Sequence, residues 1–278
     1  MMASASSSDG TLLNVFADGD PRNPALVFIH GFAQSAAAWQ RQADALRNDF
    51  YVVRFDLRGH GESGKPDGDA AYVEPQYWAN DVRVILDEVA RRDPILIGWS
   101  YGGRVIADYL QVYGAEKIAG IVLVGAISLL GLPPAETFRN PELRAIWREL
   151  LSPDERVARP AFERFTRLCF AVPVPESTIA AMAEASLRLP PHARAAMLMR
   201  TAESVPTWSA YKRPALIVHG DDDRIVLPAA ADWHAAQLPQ AVSKRYPGVG
   251  HVPFVEAEER FTADLRAFAS TVLGSVSR

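Results

Sequence analysis

The chain has 278 residues, 49% hydrophobic and 22% charged, enough to bury a large core and too apolar for a disordered segment. The formal net charge is −4 and the basic residues are scattered, which leaves no electrostatic footprint for nucleic acid or an anionic membrane. Small molecules are therefore the expected partners, and the chain is expected to work as a monomer or homodimer. Cys169 is the only cysteine, so an intrachain disulfide and a thiolate metal cluster are excluded; between Leu168 and Phe170 it reads as a buried, inert thiol. The opening residues contain neither a basic stretch nor an apolar one of the secretory type, and the longest apolar run, Ile118 to Leu132, is too short to span a membrane. A soluble cytoplasmic protein is the expectation.

In chain order, the first ten residues read as disordered, and Leu12 to Ala17 as an edge strand before a turn at Pro21 to Pro24. Short continuous apolar runs follow at Ala25 to Ile29, Tyr51 to Phe55, Ile95 to Ile97, Ile118 to Val124 and Ala215 to Val218, the pattern of strands covered on both faces. Helical stretches separate them. Ser35 to Arg47 puts Trp39, Ala43 and Leu46 on one side, and Pro75 to Arg91 does the same with Trp78, Val82, Ile85 and Val89. This alternation predicts an α/β fold with a doubly wound, mostly parallel sheet. The alternation breaks at residues 126–209, which read as an inserted helical cap with helices at Pro141 to Leu151, Pro160 to Phe170, Glu176 to Leu189 and Pro191 to Glu203. The core domain is then residues 1–125 and 210–278. Prolines such as Pro133, Pro141, Pro160, Pro175 and Pro191 fall near the expected helix starts, where the missing N–H costs little. A helix from Pro228 to Leu238, a strand near Val242 to Tyr246 and a helix from Glu256 to Leu273 complete the core.

Where the run Ile95-Leu96-Ile97 stops, Gly98-Trp99-Ser100-Tyr101-Gly102 turns sharply into a helix carrying Val105, Ile106, Tyr109 and Leu110. Such a turn lifts a serine hydroxyl clear of the sheet at a helix N-terminus, as a nucleophile elbow does. A serine needs a base, and His251 in Gly248-Val249-Gly250-His251 follows the last strand in a loop at the ligand-binding end of the sheet. The base needs an orienting acid. His219-Gly220-Asp221-Asp222-Asp223-Arg224 offers three aspartates, of which Asp223, next to the anchoring Ile225-Val226-Leu227, is the first choice and Asp222 the second. The other aspartates are expected to make turn bonds or cap the next helix. Gly125-Ala126-Ile127-Ser128 has no carboxylate, which removes the other acid position. Backbone N–H groups of Phe32, after the strand Ala25 to Ile29, and of Tyr101 in the elbow can form an oxyanion hole. His30 reads as a residue that shapes its loop.

These motifs resemble the α/β-hydrolase superfamily over nearly the whole chain. They are His30-Gly31-Phe32, Asp56-Leu57-Arg58-Gly59-His60-Gly61-Glu62-Ser63, the elbow with Gly103, Gly220 to Asp223, and Gly250-His251, in the order serine, aspartate, histidine. The resemblance implies that the Asp56 to Ser63 segment is a structural turn. Ser100 argues against the epoxide hydrolase and haloalkane dehalogenase branches, which use aspartate there. The elbow is most similar to small carboxylesterases and cofactor-free haloperoxidases; lactonases and serine C–C bond hydrolases share the apparatus, and some members are non-catalytic ligand receptors. The expected function is hydrolysis of small, apolar or aromatic carboxylic esters through an acyl-enzyme on Ser100. Neither metal nor organic cofactor is required. Phe32, Trp99, Trp147 and Phe165 are the expected pocket residues, with Phe162 and Phe170 as further cap aromatics that the cap's own core can claim.

Overall fold

The computed structural model describes residues 2–138 and 140–276. Eight strands form one sheet: β1 (Met2–Ser6), β2 (Leu12–Asp18), β3 (Ala25–Ile29), β4 (Tyr51–Phe55), β5 (Ile95–Trp99), β6 (Gly120–Val124), β7 (Ala215–Gly220) and β8 (Val242–Tyr246), in the order β1-β2-β4-β3-β5-β6-β7-β8. β1 pairs antiparallel with β2 and β2 antiparallel with β4; all other pairs are parallel. β3 to β6 are buried along their whole length except at Tyr51, which is why they read as unbroken apolar runs.

The first residues do not follow the expectation of disorder. Met2–Ser6 adds a strand outside β2, so β1 and not β2 is the edge. The run of alanine and serine carries little hydrophobic signal, yet main-chain pairing needs none, and Ala5 is small enough to be fully buried.

Chain direction across the sheet fixes the helical layers. The connection β3 to β4 moves one way along the sheet and β4 to β5 the other, and right-handed crossovers then put the two intervening helices on opposite faces. The first is α1 (Gln40–Leu46), preceded by a 3₁₀ turn at Ala36–Trp39; α2 (Ala70–Val73) and α3 (Pro75–Glu88) belong to the second, and α4 (Gly102–Tyr113) packs on α3. The predicted single helix Ser35 to Arg47 is thus two segments, a tight turn and then α1. β3 and β5 are neighbours but lie at the point where strand order reverses, so the loops after them flank the crevice in which α/β sheets bind ligands.

Between β6 and β7 run α5 (Pro133–Glu136), α6 (Pro141–Leu150), α7 (Glu155–Leu168), α8 (Glu176–Leu187), α9 (Pro191–Met199) and α10 (Val205–Ala210). Two boundaries differ from expectation. α7 starts at Glu155, because the Asp154 carboxylate accepts the Arg156 N–H and caps it, leaving Pro160 inside the helix. α9 stops at Met199, because Arg200 turns extended and Ala202 exchanges backbone hydrogen bonds with Leu130. After β7 come α11 (Ala229–Gln237), then α12 (Pro253–Glu256) and α13 (Glu258–Val276), the last packing on α1. Among the described residues no helix is long and apolar enough to cross a membrane.

Candidate active site

The turn after β5 is strained in the way an elbow requires. Ser100 has φ of +54°, a conformation that costs a non-glycine residue about 1–2 kcal/mol. Three backbone hydrogen bonds hold it there: the Ser100 N–H donates to Val124 O at 2.9 Å, and Ser100 O accepts from the N–H groups of Ile127 at 3.1 Å and Gly103 at 3.0 Å. Only glycine fits at 102, where a Cβ would lie 2.5 Å from Ile29 O. The loop after β3 runs against the same serine, since a Cβ on Gly31 would approach Ser100 Cβ to 3.0 Å.

That loop is shaped by two histidines. His30 accepts the Leu57 N–H at Nε2 (3.0 Å), and its Nδ1 lies 2.8 Å from Gly31 O; His60 accepts the Ala33 N–H at Nε2 (3.1 Å), and its Nδ1 lies 2.9 Å from Arg58 O. Each ring must be neutral, with its proton on Nδ1, to serve both partners. Burial pushes both pKa values down, that of His60 well below the ordinary range. Ala33, which His60 binds, has φ of +57°, and this bend presents Phe32. Among the described residues neither the Phe32 N–H nor the Tyr101 N–H donates to a protein acceptor, although both residues are buried. Buried unpaired amides are rare, and here two lie beside one serine.

His251 and Asp223 meet at 2.7 Å between Nδ1 and Oδ2, both fully buried. Asp223 Oδ1 accepts the N–H groups of Ile225 (2.8 Å) and Val226 (2.9 Å). Burial opposes the charge, but His251 and His219 outweigh it and hold this carboxyl far below the usual carboxylate range. Asp222 is exposed, and Asp221 pairs with Arg245 at 2.8 Å, so neither reaches His251 and neither caps the next helix, whose N-terminus has no side-chain cap. The His251 loop is tied on three sides. His251 N–H donates to Cys169 O (2.8 Å), Trp99 Nε1–H to His251 O (2.9 Å), and Glu256 accepts the N–H groups of Gly250 (2.7 Å) and Ala171 (2.8 Å). Burial raises the Glu256 pKa against these two hydrogen bonds.

Asp56 does structural work: its carboxylate accepts from Ala36 N–H (2.8 Å), Asn14 Nδ2 (2.9 Å) and Glu62 N–H (3.0 Å), and Arg58 forms a buried pair with Asp81. The Cys169 thiol is buried, and burial pushes its pKa well up. No cluster of potential metal ligands occurs among the described residues.

A cavity opens on Ser100. Phe32 and Tyr101 line it together with Ile127, Leu130, Ile225 and Val226. α6 contributes Leu143, Trp147 and Leu150, spaced to share one helix face, and Phe165 and Leu198 close the wall. Among the described residues no charged side chain lines it. Of the expected pocket residues, Phe32, Trp147 and Phe165 are here, but Trp99 is not. Its indole faces Trp39 (6.4 Å), Phe254 (5.0 Å) and His251 (5.6 Å), and it lines a separate groove with Phe170 and α8. Phe162 is buried under Arg194, within the helices that follow β6.

A family model described as "Alpha/beta hydrolase family" matches residues 26–264. The chain belongs to that family. The crystal structure of the esterase RhEst1 from Rhodococcus sp. ECU1013 superposes with a TM-score of 0.91 at 33% identity, covering 98% of this chain and 99% of that one. A non-heme haloperoxidase of Rhodococcus erythropolis is 26% identical over 96% of this chain and 99% of its own length. A pimeloyl-(acyl-carrier protein) methyl ester esterase of Nitrosomonas europaea is 27% identical over 86% of this chain and 93% of its own. His219, Glu256 and the buried set Arg104, Asp108 and Arg200 were not singled out by their sequence pattern. Only His219 carried a signal, its place four residues before the acid at the end of a strand.

Proposed function

We propose that the chain is a serine carboxylesterase acting on esters with an uncharged, apolar acyl group. Ser100 Oγ attacks the ester carbonyl while His251 Nε2 takes its proton, and Asp223 keeps the imidazole oriented and stabilises the imidazolium. The Phe32 and Tyr101 N–H groups receive the developing oxyanion; each donor of this kind is worth about 10²–10³ in rate. Collapse of the tetrahedral intermediate expels the alcohol, protonated by His251, and leaves the acyl group on Ser100. His251 then activates water, and the same steps release the acid and regenerate the serine. Residues 126–209 act as the cap of a core made of residues 1–125 and 210–278, and α6 of that cap supplies the acyl wall.

One observation carries this reading: two amides of buried residues with no acceptor among the described residues, Phe32 N–H and Tyr101 N–H, border the same apolar cavity as a strained serine. The esterase names of two relatives agree with it. The uncharged lining favours alkyl or aryl acyl groups over acids bearing a free carboxylate. The decisive experiment compares wild type and Ser100→Ala on nitrophenyl esters of graded acyl length, together with labelling by a fluorophosphonate. Serine-dependent turnover and labelling are expected. Ligand binding without either would turn the reading towards a receptor. The haloperoxidase name of a third relative supports a second nucleophile for the acyl-enzyme, hydrogen peroxide in place of water; a peroxide and acetate assay tests for the resulting peracid.

A further inference from the structure

The acid of the site is gripped by a second histidine. His219 Nε2 lies 2.8 Å from Val226 O and 3.1 Å from Asp223 Oδ2, the same oxygen that faces His251. Carbonyl and carboxylate are both acceptors, so Nε2 carries the proton and its single N–H is shared between them. His219 is fully buried near the end of β7, and Val226 also gives its own N–H to Asp223 Oδ1. The ring therefore holds both the carboxylate and the peptide that cradles it.

We propose that His219 is a positioning residue that sets the basicity of His251 through Asp223, an inference that rests on reading His251 as the base. Each donor to Oδ2 takes part of the acceptor strength of the carboxylate. With His219 engaged, less is left to stabilise a proton on His251, and the imidazole releases its proton more readily. The other titratable groups around this pair are few. His234 on α11 acts electrostatically on His219, and Cys169 and Glu256 on Asp223, while Arg224 turns outward to Glu142.

The sign of the effect separates this role from a merely structural one. Removing the His219 donor leaves Oδ2 to His251 alone, which stabilises the imidazolium and raises the pKa of His251. A loop that only loosened would carry the carboxylate away from His251 and lower it. The test is an NMR titration of the His251 ring in the whole chain, ¹⁵N-labelled at histidine and carrying Ser100→Ala, with His219, His219→Phe or His219→Gln. His219→Phe is expected to strengthen proton binding at His251 about threefold, roughly half a pKa unit. His219→Gln, whose amide N–H reaches the same oxygen, is expected to return it to the starting value. In chains that keep Ser100, the acid limb of kcat/KM should move to higher pH by the same amount with KM little changed. If the Phe variant does not fold, His219→Asn, too short to reach Oδ2, takes its place. An unchanged or lowered His251 pKa, or a Gln variant that behaves like Phe, overturns the proposal. The titration needs no turnover, so a chain without hydrolysis overturns the esterase reading and leaves this result to be judged separately.

Discussion

Asp108 gives a direct measure of what the buried charges behind the elbow do. It lies on α4 with no exposed surface, and its Oδ1 faces Arg104 Nη2 at 3.1 Å and Arg200 Nη2 at 2.9 Å, while Oδ2 accepts from Arg200 Nη1 at 3.0 Å. Arg200 comes from the segment after α9 and also donates to the Tyr101 hydroxyl at 3.2 Å, so this cluster joins the helices following β6 to the elbow itself. It contains two guanidinium groups and one carboxylate. Burial pulls the Arg104 pKa down, with Asp108 opposing, but a guanidinium stays charged at neutral pH. Asp108→Asn therefore leaves two cations facing each other in the interior, whereas Arg200→Met leaves a balanced pair. Breaking a buried pair by removing one partner costs about 3–5 kcal/mol, and the extra cation places Asp108→Asn at the upper end. Arg200→Met loses hydrogen bonds and packing worth about 1–3 kcal/mol. At about 2–4 °C per kcal/mol for a domain near this size, Asp108→Asn should melt about 10–20 °C lower, and Arg200→Met about 2–12 °C lower. The double variant should be more stable than Asp108→Asn alone, since it removes one of the opposed cations. Urea unfolding and thermal melts of the three proteins measure this. Were Arg200→Met as damaging as Asp108→Asn, charge balance would not be what governs the cluster.

Four further outcomes are expected. Asp223→Asn should lower kcat by about 10³–10⁴ and Asp222→Asn by little, measured on one nitrophenyl ester; equal losses would refute the assignment of the acid. Gly125 has φ of +48° and a Cβ there would lie 3.2 Å from His251 Nδ1 and 3.3 Å from Asp223 Oδ2, so Gly125→Ala should reduce kcat/KM at least tenfold with the fold intact by circular dichroism. Trp147→Ala should shift preference towards longer acyl chains across the ester series, because α6 presents that ring to the cavity beside Ser100. His234 is neutral in the folded chain, its pKa pushed down to about 3 by burial, so the unfolded state binds the extra proton below about pH 6.5. Stability is then full above that pH and falls as the pH drops; this residue alone should cost about 2 kcal/mol between pH 7 and pH 5, and His234→Gln should flatten the dependence seen in urea titrations by that amount.

The sheet and the positions of the elbow, His251 and Asp223 were legible because each rests on local chemistry. β3 and β5 are continuous apolar runs that stop at glycine-rich turns, and the choice of Asp223 followed from its place against Ile225 and Val226, whose N–H groups do bind it. What stayed hidden depends on pairings far apart in sequence. Arg200 meets Asp108 across 92 positions, and no periodicity marks either one. β1 was hidden for a different reason: an edge strand of alanine and serine is held by main-chain bonds and has no hydrophobic pattern to read.

Trp99 shows where a rule available in the sequence outweighs proximity to the chemistry. Side chains of successive residues leave a strand on opposite faces, so Trp99 at the end of β5 need not share a pocket with Ser100, and the left-handed φ at Ser100 ends the alternation before Tyr101. Trp99 packs against Trp39, in the turn that leads into α1, and Phe254 on α12. Tyr101 goes to the opposite layer, against Trp78 on α3 at 5.7 Å. Two large rings thus clamp the strained residue between them from both sides of the sheet, and Trp99 reaches on to the His251 carbonyl. On this geometry the aromatic flanks of Ser100 have a mechanical role. They flank the residue whose φ is +54°, and Tyr101 also borders the cavity that Phe32, Trp147 and Phe165 line.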